Sequence, residues 1–134
     1  MMADTQQKTG PAVAPGGNSK AAGSARERRA FARYPFVAES EIVDLRSRIQ
    51  ISARTSEISL GGCYVETMNP LLAGTAIYIR LLTAKGTFET NARIAYVQPG
   101  IGMGVAFLDT PPEQRRVLES WIEPVRRFLQ DEKS

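Results

Sequence analysis

Two short runs of residues carry most of the charged and polar groups in this sequence that could bind a ligand. The first run, Arg28-Arg29-Ala30-Phe31-Ala32-Arg33, gathers three guanidinium groups. Arginine donates planar pairs of hydrogen bonds to phosphate oxygens or to the O6 and N7 atoms of guanine. Arg29 and Arg33 are four residues apart, so an arm that wraps a ligand could supply both. The alternative interpretation is a basic segment that only keeps the chain soluble.

The second run is Glu57-Ile58-Ser59-Leu60-Gly61-Gly62, which lies between two apolar segments. The Glu57 carboxylate can accept hydrogen bonds from the N1–H and N2–H₂ edge of guanine, and the Ser59 hydroxyl can donate and accept. Gly61 and Gly62 permit positive φ angles and a close approach of a ligand to the backbone. An ordinary turn between strands is the alternative, because serine and glycine are common turn residues. Together the two runs suit a guanine nucleotide with exposed phosphates.

The composition excludes several classes of function. The chain has 134 residues, which favours one domain with a single core. It contains no histidine and one cysteine, Cys63, so histidine-based triads and the common zinc sites are excluded. We therefore expect no enzymatic activity, no metal and no cofactor. Cys63 is expected to be a small buried residue, and a lone cysteine agrees with a reducing cytoplasm.

The N-terminal part of the chain differs from the rest. Residues 1–25 are rich in Ala, Gly, Pro, Gln, Ser and Thr, which predicts a disordered tail. Residues 20–33 contain five cations and one acid, Glu27, which indicates an anionic partner. No stretch is apolar enough to span a bilayer and no secretory signal is visible, so we expect a cytoplasmic protein.

From Pro35 onward the sequence predicts short strands. Alternation places Ile77, Ile79 and Leu81 on one face of one strand, and similar patterns occur in the others. The Gly100–Gly104 run is followed by a strand pattern, so it predicts a hairpin and not a phosphate-binding loop. A small antiparallel barrel or sandwich is indicated by six predicted strands: Phe36–Leu45, Arg48–Ser56, Cys63–Thr67, Thr75–Leu82, Thr87–Val97 and Gly104–Leu108.

A helix is predicted at the C-terminal end. Thr110 is expected to cap it, with Pro111 at the first helical position and Glu113 three residues after the cap. Pro124 should bend the helix or end its first half near Glu123. We expect the helix to pack on the barrel, and a partner or dimer face is the alternative, because one stripe is apolar: Val117, Leu118, Trp121, Ile122, Val125, Phe128 and Leu129.

Taken as a pair, the two polar runs resemble the PilZ family of cyclic di-GMP receptors. The shared pattern is Arg-x-x-x-Arg before the first strand, followed by an acidic-or-amide-x-Ser-x-x-Gly turn. Residues 102–108 are similar to the family's last strand, and the helix from Pro111 is similar to its C-terminal helix. The resemblance implies a mainly β fold for residues 26–130: a six-stranded antiparallel split barrel with a C-terminal α-helix, preceded by the tail 1–25.

The resemblance also implies a set of residues that bind cyclic di-GMP. Arg29 and Arg33 match the two arginines that grip the ligand, and Arg28 matches a neighbouring position that often helps. Ser59 and Gly62 match the second motif, beside Gly61. Glu57 departs from the family, which usually has Asp or Asn there. The extra methylene costs roughly 0–2 kcal/mol, at most about thirtyfold in affinity.

Three hypotheses follow for the function. The first is a cytoplasmic receptor for cyclic di-GMP whose arginine arm changes conformation on binding and signals to an unknown downstream protein. The second keeps the fold but makes the chain a protein-interaction module that does not bind the nucleotide, because of Glu57. The third is nucleic-acid binding through the basic arm, which the small number of exposed aromatic residues on the strands disfavours.

Overall fold

Seven β-strands and one α-helix form the part of the chain that the computed structural model describes, residues 31–133. The chain divides between Ala32 and Arg33 into two units, and all of these elements lie in the second unit. Their bounds are: β1 Tyr34–Pro35, β2 Glu39–Asp44, β3 Gln50–Ile58, β4 Gly62–Glu66, β5 Ala76–Thr83, β6 Gly86–Gln98, β7 Gly102–Leu108 and α1 Pro112–Lys133.

Six of the strands close into an antiparallel barrel. The sheet runs in the order β1-β3-β2-β5-β6-β7-β4, and β4 also pairs with β3, which joins the two edges. Closure leaves β1 as one extra strand that adds to β3. The predicted six-stranded antiparallel barrel with a C-terminal helix is therefore confirmed.

The connections between strands lie at two opposite ends of the barrel, because every paired strand is antiparallel to its neighbours. We call one end the upper end. It holds the 59–61 turn, the 84–85 turn, the 109–111 connection and the entry to β1. The lower end holds the three other connections, residues 45–49, 67–75 and 99–101.

Alternating apolar residues fill the barrel, as their spacing predicts. On β5 the inward residues Ile77, Ile79 and Leu81 are fully buried, and the residues between them are half-buried or exposed. Phe88 and Ile94 on β6 follow the same rule. A half-buried strand that forms a barrel wall needs this period of two, so the pattern alone located five of the six barrel strands to within about two residues.

Helix α1 packs against β6 and β1 with its first half. Leu118, Trp121 and Ile122 are buried, and the Trp121 ring stacks on Phe36 with centroids 5.6 Å apart. The apolar stripe then leaves the barrel, since Phe128 is 61% exposed. Packing is thus confirmed for the first half of the stripe, and a partner face remains a prediction for the second. Within residues 31–133, no helix is both long and apolar enough to cross a bilayer.

The first predicted strand, Phe36–Leu45, is wrong at its start. Phe36–Ala38 separates β1 from β2, and the Thr55 hydroxyl supplies the missing bonds there. It donates to the Phe36 carbonyl at 2.8 Å and accepts from the Ala38 N–H at 3.0 Å. A buried side chain thus replaces part of the strand ladder, which alternation of apolar residues cannot reveal.

Two further boundaries differ from the predictions. Strand β3 runs through Glu57 and Ile58, because both residues pair with β1 and with β4 beyond a bulge after Thr55. The helix begins at Pro112, so Pro111 and not Thr110 precedes its first residue, and Thr110 Oγ1 accepts a hydrogen bond from the Thr90 hydroxyl at 3.2 Å. Of the two effects predicted for Pro124, ending the first half of the helix near Glu123 does not occur, since α1 continues to Lys133. The predicted tail, residues 1–25, lies outside the described residues.

Candidate functional site

The register of β1 on β3 brings parts of the two polar runs together at the upper end. Tyr34 pairs with Ile58 and Pro35 pairs with Glu57, so the residue before Tyr34 emerges beside the Glu57 side chain. Arg33 Nη1 lies 3.6 Å from Glu57 Oε1, and the two side chains are 48% and 44% exposed. The two charges form an ion pair that is too long for a hydrogen bond. The pair stands at the surface, where a ligand can reach it.

The turn after β3 is organised by Ser59. Its hydroxyl oxygen accepts hydrogen bonds from the N–H groups of Gly61 and Gly62, both at 3.1 Å, and donates to the Gly62 carbonyl at 3.3 Å. The Ser59 N–H also donates to the Gly62 carbonyl at 2.8 Å. One donor and two acceptor positions are all that a hydroxyl has. A ligand that bonds to this hydroxyl would have to replace one of these contacts.

Gly62 is required by packing against β7. A Cβ atom at this position would lie 2.0 Å from the Val105 carbonyl oxygen, a contact that no side chain can make. Neither Gly61 nor Gly62 uses the positive φ that glycine permits. The positive-φ glycines among the described residues are Gly74, Gly86 and Gly100. Glycine at position 62 is therefore needed for the close approach of β4 and β7, independently of any role in ligand binding.

A row of outward-facing residues extends from Glu57 across the barrel wall. Glu57 pairs with Tyr64, Tyr64 with Gly104, and Gly104 with Tyr96. The two tyrosine rings lie 6.2 Å apart, and a Cβ on Gly104 would overlap the Tyr96 ring at 2.0 Å. Gly104 thus leaves room for an aromatic surface next to the carboxylate. This surface was not predicted from the sequence, although alternating glycines opposite an outward tyrosine are a signal for it.

Two neighbouring groups have raised pKa values. Burial raises the pKa of the Tyr64 phenol, and the charges of Tyr96, Glu66 and Glu57 raise it further. The phenol hydrogen donates to Gln98 Oε1. Burial also raises the pKa of the Cys63 thiol to about 12, so this cysteine is a neutral core residue as predicted.

The structure therefore brings together five of the seven residues predicted to bind the ligand: Arg33, Glu57, Ser59, Gly61 and Gly62. Arg28 and Arg29 lie outside the described residues. Within residues 31–133, no group of three or more Cys, Asp or Glu side chains is arranged to hold a metal ion. The arrangement offers a cation, a carboxylate, backbone groups of a fixed turn and an aromatic surface.

Comparison with solved structures finds the same fold in a PilZ domain and in two longer proteins. The PilZ domain of Escherichia coli YcgR, solved with c-di-GMP, matches with a TM-score of 0.64 and 20% identity, over 79% of this chain and 97% of that one. The whole of YcgR in complex with c-di-GMP matches over 79% of this chain and 49% of its own, with the same TM-score and identity. The Bacillus subtilis inhibitor of motility, MotI/DgrA, matches with a TM-score of 0.61 and 18% identity, over 77% and 52%.

The chain therefore spans about half of the full-length relatives, 49% of one and 52% of the other. At these identities the likeness concerns the fold. Comparison with curated proteins finds no significant match. The family model for the PilZ domain matches residues 27–123, which is most of the chain. The barrel, the paired motifs and this match agree, and the chain belongs to the PilZ family.

Proposed function

We propose that this chain is a receptor for cyclic di-GMP that binds the nucleotide at the upper end of the barrel. The observation that carries the proposal is the β1–β3 register, which holds Arg33 beside Glu57 and next to the Ser59 turn. Membership of the PilZ family and the fold shared with the PilZ domain of YcgR, solved with c-di-GMP, support it.

The chemistry of each side chain suggests its role. Arg29 and Arg33, with help from Arg28, would hold the phosphates and the O6/N7 edges of the guanines. Glu57 would accept from the N1–H and N2–H₂ edge. Ser59 would act chiefly by fixing the turn, because its hydroxyl is fully used within it. Tyr64, paired with Glu57, offers a face on which a purine can stack.

The ion pair between Arg33 and Glu57 sets a small cost for binding. An exposed pair of this kind is worth about 1 kcal/mol or less, which is a factor of about five in affinity. Each charge-assisted bond from arginine to phosphate contributes about 1.5–3 kcal/mol. The arginine contacts therefore outweigh the loss of the pair, and the ligand can displace Glu57 from Arg33.

In this account the chain is a receptor and not a catalyst. Binding would order the segment that carries Arg28, Arg29 and Arg33 against the upper end, and the changed surface would signal to a downstream protein in the cytoplasm. No metal or other cofactor takes part in the proposed binding.

A calorimetric titration with cyclic di-GMP tests the proposal, with GTP and cyclic GMP as controls for a single guanine. We expect binding of cyclic di-GMP alone. Arg29→Ala with Arg33→Ala should weaken it more than about hundredfold, because two charge-assisted contacts are lost. Arg115→Ala with Arg127→Ala is the matched control, since both are exposed helix arginines that the proposed site does not include. Equal affinity in the Arg29/Arg33 variant and the wild type would defeat the assignment.

One observation favours a second function, a protein-interaction module that does not bind the nucleotide. Glu57 is long enough to reach Arg33, and its Oε1 already lies 3.6 Å from Arg33 Nη1. If this pairing dominates, the wild type should fail to bind cyclic di-GMP and Glu57→Asp should restore binding, because the shorter side chain releases Arg33. If the wild type and the Glu57→Asp variant both bind cyclic di-GMP, with affinities within about fivefold of each other, the receptor function is favoured over the second function.

A further inference from the structure

The position of Arg33 depends on β1, a strand that is only two residues long. Arg33 directly precedes β1, and β1 pairs with β3 through Tyr34–Ile58 and Pro35–Glu57. Proline has no N–H group, so Pro35 contributes no donor to this pairing. With so few backbone bonds in β1 itself, contacts outside the strand must decide which residue of β3 faces Pro35.

The pairings of β1 and β2 with the same edge of β3 are out of register by one residue. Pro35 pairs with Glu57, and Glu39 pairs with Arg54. The connection 36–38 therefore places three residues opposite two residues of β3. In the regular ladder that the β2 pairing defines, β1 would be shifted by one residue and the connection would contain no extra residue. The observed register thus needs a contact that holds this offset.

The Thr55 hydroxyl is placed to hold the offset. It donates to the Phe36 carbonyl at 2.8 Å and accepts from the Ala38 N–H at 3.0 Å. These two groups lie on either side of Val37, whose side chain is 68% exposed. Thr55 itself is 1% exposed, so water cannot readily replace its bonds and their loss leaves buried polar groups without partners. One hydroxyl therefore bridges the extra residue of the connection.

A slip of β1 by one residue would take Arg33 away from Glu57. Successive residues of a strand are about 3.3 Å apart and point to opposite faces, so a slip both moves and turns the side chains. The 3.6 Å separation between Arg33 Nη1 and Glu57 Oε1 depends on the observed register. The Phe36 ring, which stacks on Trp121 with centroids 5.6 Å apart, would also be displaced. Packing and the Thr55 bonds thus favour the same register.

We propose that Thr55 is a positioning residue for the nucleotide site, because its hydroxyl sets the register that holds Arg33 beside Glu57. The inference rests on the proposed function, since it concerns the binding of cyclic di-GMP. Thr55 contacts no ligand in this account and acts through the 36–38 connection and β1. Loss of its hydroxyl would leave Arg33 and Glu57 in the chain but out of alignment.

Calorimetric titration of the Thr55→Val variant with cyclic di-GMP tests the proposal. Valine is close to threonine in size and lacks only the hydroxyl. We expect the affinity to fall about tenfold or more, because Arg33 loses a charge-assisted contact with the ligand. Thr55→Ser keeps the hydroxyl and should bind nearly as the wild type does.

Thr90→Val is the matched control. Thr90 is 2% exposed, and its hydroxyl contacts the Leu108 carbonyl at 3.1 Å and Thr110 Oγ1 at 3.2 Å. It lies on β6, which is three strands from β3 in either direction around the barrel. Both variants lose a buried hydroxyl, so both should be less stable in urea denaturation. Only Thr55→Val should lose affinity, whereas a purely structural role predicts equal affinities.

NMR of the labelled proteins without nucleotide reports the register directly. Phe36 and Ser56 form a hydrogen-bonded pair, so the neighbouring pair Pro35–Glu57 is of the close type that gives strong NOEs between Hα atoms. The wild type, Thr55→Ser and Thr90→Val should show this NOE, and Thr55→Val should lose it. A wild type that fails to bind cyclic di-GMP would refute the receptor function alone, because the NOE would still decide whether Thr55 sets the register.

Two results would overturn the proposal. The first is equal affinity in Thr55→Val and Thr90→Val, and the second is a Pro35–Glu57 NOE that persists in Thr55→Val. Should circular dichroism show that Thr55→Val does not fold, Thr55→Ala and Thr90→Ala provide the same comparison. Alanine removes the hydroxyl without placing a methyl group against the Phe36 carbonyl.

Discussion

The two ends of the barrel are built in different ways. At the upper end the polar groups of Thr55 and Ser59 are buried, and each hydroxyl is fixed by backbone groups on both sides. At the lower end the comparable bonds are exposed, as in the contact of Thr75 Oγ1 with the Leu72 carbonyl at 2.6 Å. Buried polar bonds define one geometry, because breaking them leaves an unsatisfied group. The part of the upper end around Thr55 and Ser59 thus has a fixed shape, which suits recognition of a small ligand.

The largest difference in the free energy of unfolding is expected when glycine is replaced by alanine at each end of the barrel. Gly62→Ala is expected to lower the free energy of unfolding by about 3 kcal/mol or more, because its Cβ would lie 2.0 Å from the Val105 carbonyl. Gly74→Ala should cost about 1 kcal/mol, since that site is open and only its φ of +90° opposes alanine. Urea denaturation measures both values. Equal losses would contradict the difference between the two ends.

A smaller contrast is expected from the two threonines. Thr55→Val removes the acceptor of the buried Ala38 N–H and should cost about 2 kcal/mol. Thr75→Val removes an exposed bond and should stay within about 0.5 kcal/mol of the wild type. Thermal or urea unfolding checks these values. A Thr55 variant as stable as the Thr75 variant would show that the buried hydroxyl does not hold the 36–38 connection to β3.

The smallest expected effect on stability comes from the Asp44 carboxyl at the lower end, and it depends on pH. The N–H groups of Arg46 and Ser47 hold the pKa of the Asp44 carboxyl below its usual 3.8. A lowered folded-state pKa stabilises the fold above the unfolded value, and that contribution is lost as pH falls through the folded value. Asp44→Asn should therefore be less stable than the wild type at neutral pH, and the gap should close in strong acid. A gap that stays constant with pH would contradict this role.

Most of the barrel strands could be predicted from the sequence, because the residues of a barrel wall alternate between apolar and polar. Alternation located the strands, and it placed Ile77, Ile79 and Leu81 inside. The predicted strand boundaries were wrong where side-chain hydrogen bonds or unusual strand pairings replace the regular backbone hydrogen bonds between strands. Strand β1 is two residues long and contains Pro35, so it has no periodic signal. The sequence does not distinguish Thr55 from other threonines in strands. Its role follows from the hydrogen bonds of its hydroxyl with the Phe36 carbonyl and the Ala38 N–H.

The motif pair named residues that the structure brings together, while their contacts could not be read from the sequence. The motif pair named Arg33 and Glu57, and the structure holds them 3.6 Å apart. Ser59 was expected to face a ligand, whereas its hydroxyl is used within the turn. Hydrogen-bond satisfaction depends on three-dimensional contacts, so the sequence could not indicate it.

An NMR titration of the isotopically labelled full chain with cyclic di-GMP tests the central claim most directly. The account predicts saturable shifts of the backbone amides of Arg33, Glu57, Ser59, Gly61 and Gly62, with the amides of residues 45–49 and 67–75 unchanged. The absence of saturable shifts, or shifts confined to the lower end, would contradict it.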